Sequence, residues 1–201
     1  MAHYFESPAA GDEGPARRLP LHVYGRTLEL RTGAGVFSRD RIDPGTMVLL
    51  QSVPPPPPTG HLLDLGCGYG PIALGMAVAA PEATVWAVDV NERARELCAL
   101  NAEAAGLPNV RVADPDEVPP DVRFAAVWSN PPIRIGKAPL HELLHRWLGR
   151  LAPAGEAFLV VQRHLGSDTL HRWLTEQGWP TTRLASRRGF RVLRCTARGP
   201  G

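Results

Sequence analysis

Lysine is almost missing from this chain: Lys137 is the single one among 22 basic side chains. Together with 21 prolines and 20 glycines, the arginine excess matches a coding bias toward G and C and carries no functional weight alone. Cysteine is scarce too. Cys67, Cys98 and Cys195 are far apart, odd in number and form no CxxC pair, which argues against a disulfide framework or a zinc site. No apolar run approaches the roughly 20 residues of a membrane helix. The first 20 residues are polar, charged and broken by proline, without a secretory pattern. The expectation is a cytoplasmic protein with no membrane partner and no metal.

What is present suits a folded domain. The 201 residues are 44% hydrophobic and 21% charged, close to globular averages. The net charge of +2 hides an asymmetry: nine acids face three arginines between Glu82 and Asp121, while six arginines and no acid follow from Arg183 onward. A basic end of this kind admits an anionic partner, although it also protects a sheet edge from aggregation.

Residues 1 to about 20 read as a Gly/Pro/charged tail. Leu21 to Arg31 alternates around Gly25-Arg26 as a short hairpin. Asp43-Pro44 caps and starts a short helix through Val53, and Pro54 to Pro58 is a stiff connector. The division expected is an extension over 1–58 and a catalytic domain over 59–201. From residue 61 on, strands (61–65, 84–88, 110–113, 124–128, 157–161) alternate with helices (71–80, 91–105, 140–151, 167–177). Two strands, 182–186 and 190–195, close the chain around Arg187-Arg188-Gly189. This pattern predicts an α/β fold with a mostly parallel sheet, helices on both faces and an antiparallel C-terminal hairpin.

The densest chemical signal is Leu62-Leu63-Asp64-Leu65-Gly66-Cys67-Gly68-Tyr69-Gly70, a buried strand running into a glycine-rich turn before a helix. The spacing is GxGxG followed by Pro71, so it is neither a dinucleotide GxGxxG nor a P-loop. Asp64 suits an ammonium group better than a pyrophosphate. Asp89, about 20 residues on at the next strand end, suits ribose hydroxyls. Asp114 or Asp116, after the third strand, suits an adenine amine. Three acids at successive carboxyl ends of one sheet point to a single ligand at the switch point. At the fourth strand end stands Asn130-Pro131-Pro132.

These residues together resemble the class I S-adenosylmethionine-dependent methyltransferases, whose Rossmann-like sheet has seven strands. Gly35 to Asp40 (GVFSRD), Leu63 to Gly70, Asn130 to Lys137 (NPPIRIGK) and Gly189 to Leu193 (GFRVL) resemble the small-domain (MTS, RsmC-like) methyltransferases more closely. That family includes ribosomal RNA guanine-N2 methyltransferases. The resemblance implies S-adenosyl-L-methionine as cofactor, held by Asp64, Gly66, Cys67, Gly68, Gly70, Asp89, Val90 and Asp116, with Phe37 and Ser38 covering it. It implies that Asn130, with Pro131 and Pro132, orients the amine to be methylated. Ile133, Arg134, Lys137 and Phe37 are the substrate-side candidates. An aromatic residue often follows NPP in amino methyltransferases; here Ile133 stands there, so base stacking comes from elsewhere, with Phe37 a candidate, or is weaker. Only about 60 residues precede the core, so the amino-terminal duplicate domain of larger relatives is not expected.

The function implied is N-methylation of RNA, with guanine N2 of ribosomal RNA preferred. NPP is shared by enzymes acting on protein glutamine, DNA adenine, tRNA and small molecules, so the motif does not choose among them. The alternative of another kind is a catalytically silent cofactor- or RNA-binding module. Three further readings need no chemistry: Asn101 is a satisfied buried amide, Cys67 packs in its loop, and His141 and His145 bind no metal.

Overall fold

Alternation of buried and exposed residues sets the hairpin with which the described part of the chain begins. The computed structural model describes residues 17–199. Strand β1 (Arg17–Val23) pairs antiparallel with β2 (Arg26–Thr32), and Leu21, Val23, Leu28 and Leu30 point inward. The turn is Tyr24-Gly25, with φ of 45° and 75°, because a two-residue hairpin turn of matching twist needs both central residues at positive φ. The hairpin is longer than the sequence suggests: residues 17–20, assigned above to the tail, are strand. The rest of that tail lies outside the described residues. Helix α1 (Pro44–Ser52) follows, capped by Asp43 with Pro44 in its first turn.

The main sheet holds β3 (His61–Leu65), β4 (Thr84–Val88), β5 (Val110–Ala113), β6 (Phe124–Ser129), β7 (Leu151–Gln162), β8 (Thr181–Arg187) and β9 (Phe190–Thr196), in the order β5-β4-β3-β6-β7-β9-β8. The first five are parallel; β9 runs antiparallel to β7 and to β8. This is the seven-stranded, mostly parallel sheet with an antiparallel end expected from the sequence. Helices α2 (Pro71–Ala79), α3 (Glu92–Ala104), α4 (Lys137–Leu148) and α5 (Ser167–Glu176) connect its strands. β5 returns to β6 through residues 114–123 without a helix.

Successive strand residues serve opposite cores, since side chains alternate across a sheet. Leu62, Val85, Ala126 and Val160 face α1, α2, α3 and the β1–β2 hairpin. Leu63, Trp86, Val127 and Leu159 face α4 and α5. Residues on both sides of the connector at Pro54–Pro58 therefore share one hydrophobic core. Asn101 ties the two parts further. Buried on α3, it accepts from Arg31 N at 2.7 Å and donates to Arg31 O and Tyr69 O, each at 2.9 Å.

One boundary moves by a whole element. Leu151, read as the end of a helix, opens β7 instead, and α4 stops at Leu148. Leu151 pairs with Phe124, the register slips, and Glu156 pairs with Ala126. Gly155 permits the irregularity: a Cβ there would sit 2.6 Å from Phe124 O.

Candidate active site

The strand order reverses at β3, with β4 on one side and β6 on the other, so their carboxyl ends open onto one crevice. Asp64 lies in β3 and is fully buried. Its Oδ2 accepts from Ala73 N, in the first turn of α2, at 2.8 Å; its Oδ1 is buried without a partner. Burial raises its pKa from 3.8 to about 8, the nearby Asp89 charge adds to the rise, and the Ala73 amide opposes it. A buried carboxyl with an unused oxygen is a group that a cation could stabilise in its charged form.

Beyond β3 the chain turns through Gly66, Gly68 and Gly70 at φ of +76°, +55° and +96°. A Cβ at Gly66 or Gly68 would meet nothing within 4 Å, whereas at Gly70 it would lie 2.7 Å from Cys98 Sγ. The first two glycines border open space and the third is packed. Gly66 N and Cys67 N both donate to Val88 O, at 2.8 and 3.0 Å, holding the turn against the end of β4. Cys67 and Cys98 are both buried free thiols.

Asp89 follows β4. Its Oδ2 accepts from Gly68 N and its Oδ1 from Asn91 N, both at 2.9 Å. Burial raises its pKa, while the Asn91 and Gly68 amides and Arg95 pull the other way. Val90 beside it is 50% exposed. The structure separates the two acids after β5. Asp114 is half-buried and paired with Arg95 at 3.1 Å, whereas Asp116 is exposed and paired with Arg146 of α4 at 2.8 Å. Arg95 also donates to Asp89 O at 2.8 Å, bracing the ends of β4 and β5. Sequence reasoning passed over Arg95, because nothing in its own helix marks it.

Asn130 comes one residue after Ser129, which pairs with Leu65 just before Gly66. The Ser129 hydroxyl donates to Leu65 O at 2.6 Å. Asn130 Nδ2 donates to Asp43 Oδ1 at 2.7 Å and to Thr46 Oγ1 at 3.2 Å; neither partner was singled out in the sequence beyond the helix start. Pro132, at φ −75° and ψ 74°, centres a tight turn in which Pro131 O accepts from Ile133 N at 2.8 Å. Ile133 packs against the α4–α5 core, and Arg134 and Lys137 are exposed.

The loop between β2 and α1 is fastened to this edge. Asn91 Nδ2 donates to Gly35 O at 2.8 Å, and the Tyr69 hydroxyl approaches Ser38 O at 3.5 Å. Ser38 takes φ 58° and its hydroxyl donates to Arg41 O. Phe37 is 70% exposed.

Three arginines of the basic end are paired with two carboxylates, and a fourth lies over an aromatic ring. Arg183 and Arg191 meet Asp168, Arg194 meets Glu156, and the Arg198 guanidinium lies over Trp179. Arg187 and Arg188, at the tip of the β8–β9 hairpin, are exposed, and Gly189 O between them and β9 accepts from Arg163 N at 2.8 Å. His141 stacks on Trp173 at 3.8 Å and His145 stands edge-on to Trp179. Among the described residues no group of three or more His, Cys, Asp or Glu is placed to hold a metal ion, and no helix is long and apolar enough to cross a membrane.

Comparison with known proteins gives the chain a family. The family model described as methyltransferase small domain (MTS) matches residues 27–194. The chain is 35% identical to the uncharacterized protein YbxB of Bacillus subtilis over 96% of its length and 98% of that protein's. It is 34% identical to ribosomal RNA small subunit methyltransferase C of Shewanella halifaxensis, over 68% of this chain and 41% of that one. It thus spans about half the length of the curated methyltransferases it matches, or less. Among solved structures, the T. thermophilus 16S rRNA N2 G1207 methyltransferase (RsmC), in complex with AdoMet and guanosine, superimposes with a TM-score of 0.78. It is 25% identical, over 96% of this chain and 53% of that one. The chain belongs to the methyltransferase small domain family, and is a class I S-adenosylmethionine-dependent methyltransferase.

Proposed function

We propose that the enzyme methylates an exocyclic amine in RNA, with guanine N2 of ribosomal RNA as the preferred target. The observation that carries this reading is the placement of Asn130 beside the glycine turn, with its Nδ2 held by protein acceptors. No protein group among the described residues donates to its Oδ1, which is left to accept an N–H. The kinship with ribosomal RNA small subunit methyltransferases supports RNA as the substrate, and such an enzyme works in the cytoplasm.

The crevice fits S-adenosylmethionine on two grounds. Asp64 Oδ1 is a buried acceptor without a partner, matched to an ammonium group, and the space over Gly66 and Gly68 admits close approach of a ligand. Gly66, Cys67, Gly68 and Gly70 shape the cradle for the methionine part. Asp89, with lone pairs beyond those taken by Gly68 and Asn91, receives the ribose beside Val90. Asp114, nearer the strand end than Asp116, is the better placed acid for the adenine edge. Phe37 and Ser38 cover the crevice.

The cofactor supplies an electrophilic methyl carbon on a sulfonium; the protein's task is alignment. An aromatic exocyclic amine is a weak nucleophile because its lone pair is delocalised into the ring. Asn130 Oδ1 accepts one N–H and turns the lone pair toward the methyl carbon. Pro131 O, already bonded to Ile133 N, keeps a second lone pair for the other N–H. No strong base is needed, since the proton leaves to solvent once the nitrogen has gained its methyl. Phe37 and Ile133 flank the base plane, and a base within RNA structure reaches the site unpaired or flipped. Arg134, Lys137 and the hairpin tip are available to phosphates.

The test is transfer of label from methyl-labelled S-adenosylmethionine to ribosomal RNA isolated from a strain lacking this gene. Labelled RNA, with none from Asn130→Ala, supports the reading. Label only in a protein pool overturns it in favour of amide methylation.

A further inference from the structure

We infer that Asp43 is the positioning residue for Asn130: its carboxylate, carried by the segment before the parallel sheet, fixes which end of the Asn130 amide faces the substrate. The inference rests on the reading of Asn130 as the acceptor of the substrate amine.

The geometry is specific. Asp43 Oδ1 accepts from Asn130 Nδ2 at 2.7 Å across 87 positions of sequence, and Thr46 Oγ1 lies 3.2 Å from the same nitrogen. A carboxylate has no proton to donate. Turning the amide over would place Asn130 Oδ1 against the Asp43 oxygen, two acceptors face to face. Nδ2 is therefore held inward and Oδ1 is presented outward. A charged acceptor on the amide nitrogen also draws density toward Oδ1, strengthening it as an acceptor.

Asp43 is itself immobilised. The same Oδ1 accepts from Thr46 N at 3.0 Å as the cap of α1, and Thr46 is buried. Gly45 makes room for this arrangement. A Cβ there would lie 2.9 Å from Asp43 Oδ1 and 2.8 Å from the Phe190 ring. One helix cap thus serves two purposes, starting α1 and orienting the amide at the end of β6.

Asp43→Ser separates the two. Serine caps a helix about as well as aspartate, but its shorter side chain does not span to Asn130. Asp43→Asn keeps an acceptor oxygen in place. With unmodified ribosomal RNA as substrate, Asp43→Ser should lower kcat by about tenfold, with little change in KM for RNA or in affinity for S-adenosylmethionine. Asp43→Asn should stay within about threefold of the parent. A second readout needs no turnover: the Asn130 side-chain amide signals in a ¹H–¹⁵N spectrum, assigned by their loss in Asn130→Ala, should move in Asp43→Ser. Unmoved signals or an unchanged kcat in Asp43→Ser would overturn the inference. Moved signals in a protein that methylates no RNA would keep the clamp and defeat the RNA reading instead.

Discussion

Asp89 Oδ2 accepts the Gly68 amide hydrogen at 2.9 Å, so the carboxylate at the end of β4 braces the glycine turn at the end of β3. The residue proposed to receive the ribose thereby also shapes the turn proposed to hold the methionine part. Asp89→Ala removes both contributions, while Asp89→Asn keeps a side chain of the same size. We expect Asp89→Ala to weaken S-adenosylmethionine binding by about a hundredfold, from two charge-assisted hydrogen bonds lost. Isothermal titration of the cofactor against both variants checks this, and a loss under threefold in Asp89→Ala would contradict it.

As the proposed partner of the cofactor's ammonium group, Asp64 should make binding and stability depend on pH in opposite senses. Its folded pKa, about 8, lies above the unfolded value of 3.8. The unfolded chain releases this proton first, so the carboxyl destabilises the ligand-free fold increasingly as pH rises from about 4 to about 8, and no further above that. Asp64→Asn should match the parent in Tm near pH 4 and exceed it by several degrees at pH 8. The same variant should lose cofactor binding by at least about a hundredfold, because a buried amide does not neutralise an ammonium group. In the parent, uptake of the cationic ligand should release close to one proton at pH 7. Calorimetry in buffers of different ionisation enthalpy measures that proton, and parallel Tm curves for parent and variant would refute the assignment.

Asn101 links α3 to the first hairpin through three hydrogen bonds to main-chain groups. Asn101→Leu should cost about 3 kcal/mol, because Arg31 N–H, Arg31 O and Tyr69 O are left unpaired in the interior. For a domain of this size that is a fall in Tm of roughly 6–12 °C, readable by thermal melts. A loss below about 1 kcal/mol would show that the hairpin is held by its apolar contacts alone.

Among the described residues, Arg187 and Arg188 at the hairpin tip meet no carboxylate, whereas Arg183 and Arg191 meet Asp168 and Arg194 meets Glu156. The charge reversal Arg187→Glu/Arg188→Glu should weaken RNA binding by about tenfold and lower its salt slope by about 1 to 2. Arg194→Gln should leave both nearly unchanged, since Arg194 is already engaged by Glu156. Filter binding across a salt series, with cofactor affinity as control, separates the two. Equal effects of both variants would reassign the RNA-facing surface.

Much of this molecule is legible in its local patterns. Asp64 to Gly70 joins a buried strand, a positive-φ turn and a helix within one short segment, so the sheet and the crevice can be placed from sequence. Asn101 shows itself by standing as a polar residue on the apolar face of α3. What is not legible arises from distant pairing. Asp43 looks like a helix cap and nothing more, and its partner Asn130 lies 87 positions on. Arg95 looks like a solvated helix residue, yet it spans the ends of two strands. The six terminal arginines look like one basic surface until the sheet sets Asp168 and Glu156 beside three of them. Leu151 continues an apolar helical pattern, and only its pairing with Phe124 makes it a strand.

In the proposed reaction Asn130 presents an acceptor to an exocyclic amine. Digestion to nucleosides of ribosomal RNA labelled by this enzyme, followed by mass spectrometry, tests it most directly. Label should appear in N2-methylguanosine and be absent when Asn130→Ala replaces the parent. Label on a ring nitrogen or a ribose oxygen, positions with no exocyclic amine to align, would contradict it.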